Sequence, residues 1–255
     1  MADSLRAAYA VLRMRFRSHR LSPAAFWIWL SSVGLYQALG LAFVLVTTTR
    51  LRAGSEWLAT LTYGVFQGAT GLAYAAGAWT VFFASRYVRG GEIDRVLLLP
   101  PGPHVVLPFV HFEFGEMPGA VSGLAIAVLG LYLGGRLSFV TVLLAAVGIV
   151  LGGMVAYSLF VLAATAPLLS KQFSASINVA MDLILFGQYP VRLYPSAMRT
   201  VFTWVVPVAL IANAPARLVE RGAGSFPLLA GASAAAFLGA HGLFVAALRR
   251  FLSHW

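Results

Sequence analysis

Long apolar runs, each stopped by arginine, proline or glycine, divide this chain from residue 24 onward. A membrane-crossing helix takes roughly 20 consecutive apolar residues, and by that measure the pattern predicts six. The first runs from about Ala24 to Thr49 and opens on Phe26, Trp27 and Trp29, an aromatic belt of the kind that marks a membrane–water interface. Arg50, Arg52 and Glu56 form a short loop before the second, about Trp57–Phe83. The stretch Arg86–Pro103 is the most polar part of the interior sequence. Prolines at 100, 101, 103, 108 and 118, with Glu113 and Glu116, disfavour a continuous span from His104. A short interfacial helix is expected there, and the third span is placed at Met117–Gly135. The fourth, about Leu137–Leu169, is long enough to tilt or to project beyond the bilayer. The fifth is about Ser174–Tyr189 and the sixth about Ser225–Leu248. Between these last two, Pro190, Pro195, Pro207 and Pro215 break the segment 190–224. Its apolar part, Val201–Asn213, is too short to cross, so it is predicted to re-enter or to lie at the surface.

Residues 1–22 have a different pattern. Leu5, Tyr9, Leu12 and Phe16 form one helical stripe, with Arg6, Arg13, Arg17 and Arg20 beside it. That arrangement predicts a helix lying in the headgroup plane. The apolar run that follows is longer than the core of a signal peptide, so this helix is expected to be retained. The expected fold is therefore all-α and membrane-integral, a single transmembrane unit over 1–255. It has six spans, an interfacial helix ahead of them, and a re-entrant or extracytoplasmic segment before the last.

Composition agrees. Sixty per cent of the 255 residues are hydrophobic and 10% charged, against about 25% charged in a soluble domain. There are no cysteines, which excludes disulfides and thiolate metal sites. Eighteen Lys+Arg stand against eight Asp+Glu, but the arginines sit at the ends of apolar runs, where lipid headgroups and the positive-inside rule favour them. A nucleic-acid-binding stripe is not expected. Six spans put both termini on one side with the five amino-terminal arginines, Arg86, Arg89, Arg95, Lys171, Arg249 and Arg250. Arg50, Arg52, Arg136, Arg192, Arg199, Arg217 and Arg221 fall on the other. The bias predicts cytoplasmic termini.

Few residues offer chemistry. The sole lysine, Lys171, follows no glycine run, so the chain carries no phosphate-binding loop of the G-x-x-x-x-G-K-[ST] kind. Ser122 and His241 both fall within spans, as the pair of an intramembrane serine protease would. The flanking residues Ala120-Val121-Ser122-Gly123 and Ala240-His241-Gly242 lack the oxyanion partners that chemistry needs. His111, Glu113 and Glu116 are spaced wrongly for a zinc site. Asp182, with Asn178 one turn earlier, is the one acid inside a span. It either ties the fifth span to a neighbour or lines a translocation path, with His241 a conceivable partner. Glycines at four-residue spacing, Gly64/Gly68, Gly119/Gly123, Gly130/Gly134 and Gly148/Gly152, would let helices approach closely.

The segment Arg89-Gly90-Gly91-Glu92-Ile93-Asp94-Arg95-Val96-Leu97-Leu98-Leu99-Pro100 resembles the loop between the second and third spans of type-2 ATP-binding-cassette (ABC) exporter permeases. The resemblance is to the subfamily of about 260 residues that works beside a separately encoded ATPase. Tyr189-Pro190, Tyr194-Pro195 and Val206–Ala216 resemble the same family's segment before the last span. Leu99 departs from the pattern, since an arginine usually precedes the proline. The resemblance implies that Gly91, Glu92, Ile93, Asp94, Arg95, Val96, Leu97 and Leu98 form a coupling helix within a cytoplasmic region 86–116, docked into the ATPase. Independently, Ile93, Val96 and Leu97 form an apolar stripe suited to a groove.

The expected function is the permease subunit of an exporter in a bacterial cytoplasmic membrane. It would be paired with a second permease chain and surrounded by membrane lipids, and would move an amphiphilic or lipid-like substrate. The chain itself would be no enzyme and hold no cofactor, with ATP and magnesium bound by the partner ATPase. An ATP-independent channel, scramblase or secondary carrier is the alternative. Asn178, Asp182 and His241 are the candidates for the path.

Overall fold

The computed structural model describes residues 23–51, 55–88, 90, 107–109, 111–170 and 175–253. The predicted interfacial helix over 1–22 and the predicted coupling helix Gly91–Leu98 lie outside these residues. Every described element is helical, and among the described residues there is no strand. The long helices are α1 (Pro23–Arg50), α2 (Glu56–Phe82), α3 (Met117–Leu133) and α4 (Phe139–Leu169). Short helices follow as α5 (Ser176–Leu185), α6 (Ser196–Thr200) and α7 (Asn213–Arg221), and then the long α8 (Phe226–Ser253). The stretches Trp27–Arg50, Phe114–Leu133, Phe139–Leu169 and Phe226–Ser253 are long and apolar enough to cross a membrane.

α2 is the centre of the bundle. Its 27 residues span about 40 Å at 1.5 Å per residue, but threonines, glycines and Gln67 make it less apolar than the other long helices. Burial explains the difference. Leu61, Tyr63, Val65, Ala69 and Ala75 are wholly buried along it, with α3 and α4 as its main neighbours. Side chains that face protein rather than lipid need not be apolar.

The α2–α3 seam is built on glycine. A Cβ at Gly64 would overlap the Ala127 backbone nitrogen, and one at Gly123 would overlap that of Gly68. A Cβ at Gly71 would lie 2.6 Å from the Ala120 nitrogen. Backbone therefore meets backbone across this seam. Gly148 and Gly152 serve another purpose: they face Pro215 and the Ile211 carbonyl, so α4 receives the broken segment rather than another long helix.

Several helix ends follow directly from local sequence. Ser138 and Thr141 form a capping box that starts α4. Pro167, near the end of α4, has no N–H to give to the Ala163 carbonyl four residues back. The Ser176 hydroxyl, at the start of α5, donates to that carbonyl at 2.7 Å, which ties α5 to α4. α3 is preceded by a tight turn, Phe114–Glu116, whose Gly115 N–H donates to Glu113 Oε1 at 3.3 Å.

Two expectations need adjustment. α2 does not stop near Phe83 but continues as a wider π turn, Phe83–Val88. α5 is only ten residues long, extended by one tight turn, Phe186–Gln188. Together these rise about 20 Å, short of the roughly 30 Å of a hydrocarbon core.

α1 is attached to the bundle far more lightly than the rest. Trp27, Ile28, Leu35, Leu39 and Phe43 are exposed. Its hold on α2 combines a small apolar cluster, Val44 with Ala59 and Tyr63, flanked by Leu41 and Leu45, with one polar relay. Gln67 Nε2 donates to the Tyr63 hydroxyl oxygen (2.6 Å), and that hydroxyl donates to the Gln37 carbonyl (3.1 Å). Gln37 Nε2 in turn donates to the Gly119 carbonyl of α3 (3.3 Å). The Tyr63 hydroxyl occupies the notch left by Gly40.

Candidate functional site

Beside this relay, α1 and α2 part to leave an open cleft of about 390 Å³. α1 contributes Trp29, Ser32, Tyr36 and Gln37, and α2 contributes Gln67, Thr70 and Tyr74. Gly115, Glu116 and Gly119 close it from the start of α3, and Leu185 from the end of α5. Such a polar lining is unusual among helices whose outer faces are apolar, since an unpaired polar group facing hydrocarbon is costly. Gln37 and Gln67, 5% and 8% exposed, are with Thr70 the most buried of these polar lining residues, and are held by the relay described above. Glu116 is exposed into the cleft, and among the described residues no hydrogen bond or ion pair reaches its carboxylate.

The cleft lies toward one end of the bundle. It is formed by the first half of α1, the second half of α2 and the start of α3, so it faces the end at which the stretch between α2 and α3 emerges. The opposite end is covered by the broken segment 190–224. There Arg136 Nη1, from the α3–α4 connection, donates to the Glu220 carbonyl (2.8 Å) and stacks over Trp57. Asn213 is the hub of that segment. Its Oδ1 accepts from the Val191 N–H (2.9 Å), while Nδ2 donates to the Tyr189 carbonyl (3.1 Å) and the Gly187 carbonyl (3.4 Å).

The residues singled out from sequence fall in different places. Asn178 and Asp182 are exposed and share the helical face of Leu185, at spacings of seven and three residues. Asp182 is also within electrostatic range of Tyr74. Of that face only Leu185 is among the cleft's lining residues; Asn178 and Asp182 are not. Nor is His241. Its ring stacks on Tyr157 of α4, and its Nδ1 lies 3.0 Å from the Phe237 carbonyl one turn earlier. No bond joins it to Asp182. Ser122 donates to the Pro118 and Gly119 carbonyls of its own helix and is not paired with His241. His111 Nε2 meets the Tyr87 hydroxyl at 2.9 Å and Glu113 caps Gly115, while Glu116 lines the cleft. Among the described residues no three acids or histidines gather as a metal site would require.

Sequence reasoning missed Gln37 and Gln67, and weighed Glu116 only as a metal ligand. Two glutamines at mid-span were a usable signal, because a neutral amide in hydrocarbon needs a partner as surely as a charge does.

Residues 34–254, which include all these elements except the start of α1, match the family model described as "ABC-2 family transporter protein". No curated protein and no solved structure matches the chain.

Proposed function

Because this chain belongs to the ABC-2 transporter family, and so is a multi-pass transmembrane permease of an ABC transporter rather than its ATPase, we propose that it works as an exporter subunit whose path is the α1–α2 cleft. The observation that carries this reading is the open cavity of about 390 Å³, lined by both polar and apolar groups, among apolar helices. A cavity of that size and lining suits the polar end of an amphiphile, with the apolar remainder left in the bilayer. The cleft faces the end where the stretch between α2 and α3 emerges, so the path and the proposed coupling helix Gly91–Leu98 share one side. Closure of the ATPase around ATP and magnesium would push through that helix on the ends of α2 and α3. Gly148 and Gly152, well inside α4, receive Pro215 and Ile211, which supports a re-entrant segment at the opposite, extracytoplasmic side. The six-span count takes α2 and the short α5 together with the four longer apolar helices, and puts both termini in the bacterial cytoplasm.

A single cleft open along α1 would need a second permease chain, identical or related, to close it. Asp182 and Asn178, exposed on the same side, would then face the shared path.

Co-purification tests the proposal. The tagged wild-type chain should bring down an ABC ATPase, and an Ile93→Asp, Leu97→Asp double variant should lose it while remaining in the membrane. Each carboxylate would replace an apolar group worth roughly 1.5–3 kcal/mol when fully buried. An unchanged complex with unchanged transport removes the coupling-helix assignment. A wild-type chain that never captures an ATPase favours the ATP-independent channel, scramblase or carrier.

A further inference from the structure

The cleft's lining has a definite sign. Chain-wide, basic residues outnumber acidic ones, yet among the described lining residues there is no arginine or lysine. The one ionisable carboxylate in the lining is Glu116, and no described residue is bonded to it. A second acid, Glu113, lies within electrostatic range of it, and Asp182 is within range of Tyr74 in the lining. Around Glu116 stand aromatic rings from two helices: Trp29 and Tyr36 of α1 and Tyr74 of α2. Electron-rich rings grouped with a carboxylate are what a quaternary ammonium or protonated amine binds, because the ring quadrupole attracts a cation without requiring a hydrogen bond. An anionic headgroup would meet the opposite: a carboxylate in its path, with no arginine or lysine among the described lining residues to offset it.

Resting on the reading of this cleft as the transport path, we propose that it selects the cationic end of an amphiphile, seated against Tyr36 and Tyr74 and balanced by Glu116. The exposed apolar side of α1, with Leu35, Leu39 and Phe43, then lies beside the hydrocarbon part.

The test uses two probes of matched shape and opposite charge, tetraphenylphosphonium and tetraphenylborate. Binding to the permease complex in nanodiscs of zwitterionic lipid is measured by equilibrium dialysis against empty nanodiscs. The phosphonium should bind saturably above the empty-disc background and the borate should not. Glu116→Gln should weaken phosphonium binding about tenfold, and Tyr36→Leu by several-fold. Tyr36 is 61% exposed, so that variant keeps the measurement open should Glu116→Gln fail to fold. Equal binding of both ions, tighter binding of the borate, or phosphonium binding unmoved by either variant overturns the proposal. The permease reading fails separately, by the absence of an ATPase from the purified material, because dialysis scores ligand charge without any turnover.

Discussion

Replacing Gly123 by alanine tests whether the α2–α3 seam is held by backbone contact. The added Cβ would lie 2.6 Å from Gly68 Cα and 2.8 Å from the Gln67 carbonyl carbon, where a relaxed carbon pair sits about 3.5–4.0 Å apart. Neither atom can swing away as a side-chain end could, so the two helices must separate by roughly 1 Å, a gap that forfeits a quarter to a half of each contact's attraction. The loss spreads along the seam, to Gly64 against Ala127 and Gly71 against Ala120. Overpacking of this kind costs about 1–3 kcal/mol. Alanine returns up to about 1 kcal/mol in helix propensity, leaving a net loss of up to about 2 kcal/mol. Gly231→Ala is the control, since nothing lies within 4 Å of a Cβ there and only the propensity gain applies. Thermal unfolding of the purified protein in mild detergent should place Gly123→Ala several degrees below wild type and Gly231→Ala at or above it. Coincident curves for the two variants would refute the close-contact account of the seam.

The α4–α5 tie gives a sharper, coupled prediction. Ser176→Ala should destabilise by about 1 kcal/mol by orphaning the Ala163 carbonyl, and become nearly neutral when Pro167→Ala restores the helical N–H, as read from a double-mutant cycle in the same unfolding assay. Asn213→Ala removes three hydrogen bonds that gather 187–191 onto α7; proteolysis from the extracytoplasmic side should then cut that segment several-fold faster, with the long helices still intact. Labelling from outside the cell should modify Arg217→Cys and spare Arg250→Cys, and the reverse would invert the topology. Asp182→Ala should lower transport with expression and assembly unchanged, whereas loss of the folded complex would assign the acid a structural task.

Much of the helical framework was legible because membrane helices advertise themselves by length and apolarity. α1, observed at Pro23–Arg50, and α4, at Phe139–Leu169, lie within two residues of the expected spans. α3 starts at Met117 as the proline pattern required. The less legible parts depend on partners distant in sequence. The short α5 looks like a span in one dimension because Phe186 and Gly187 continue its apolar run, while the turn at Phe186–Gln188 ends the helix. Glycine pairs signalled close approach without saying to what, so Gly148/Gly152 resembled Gly64/Gly68 although one pair receives a broken loop and the other a helix. The cleft was hidden for the same reason. Its polar groups are spread singly over α1, α2 and the turn before α3, each unremarkable in its own run, and only the packing of α1 against Tyr63 brings them together.

The modest apolarity of α2 bears on how the chain enters the membrane at all. Released alone, the helix would set the Glu56 carboxylate, the Gln67 amide and the Tyr63 hydroxyl against lipid, even though its threonines bond to carbonyls of their own helix. Its partners for burial come later in the chain: α3 supplies the glycine seam and α4 the opposite wall. α2 is therefore expected to wait at the insertion machinery or the bilayer surface until α3 has been synthesised, and to enter with it as a hairpin. Truncating nascent chains after residue 88 and after residue 135 would expose that order, the shorter product remaining extractable at high pH and the longer one integrated. The helix at the heart of the finished bundle would thus be among the last of the early segments to commit.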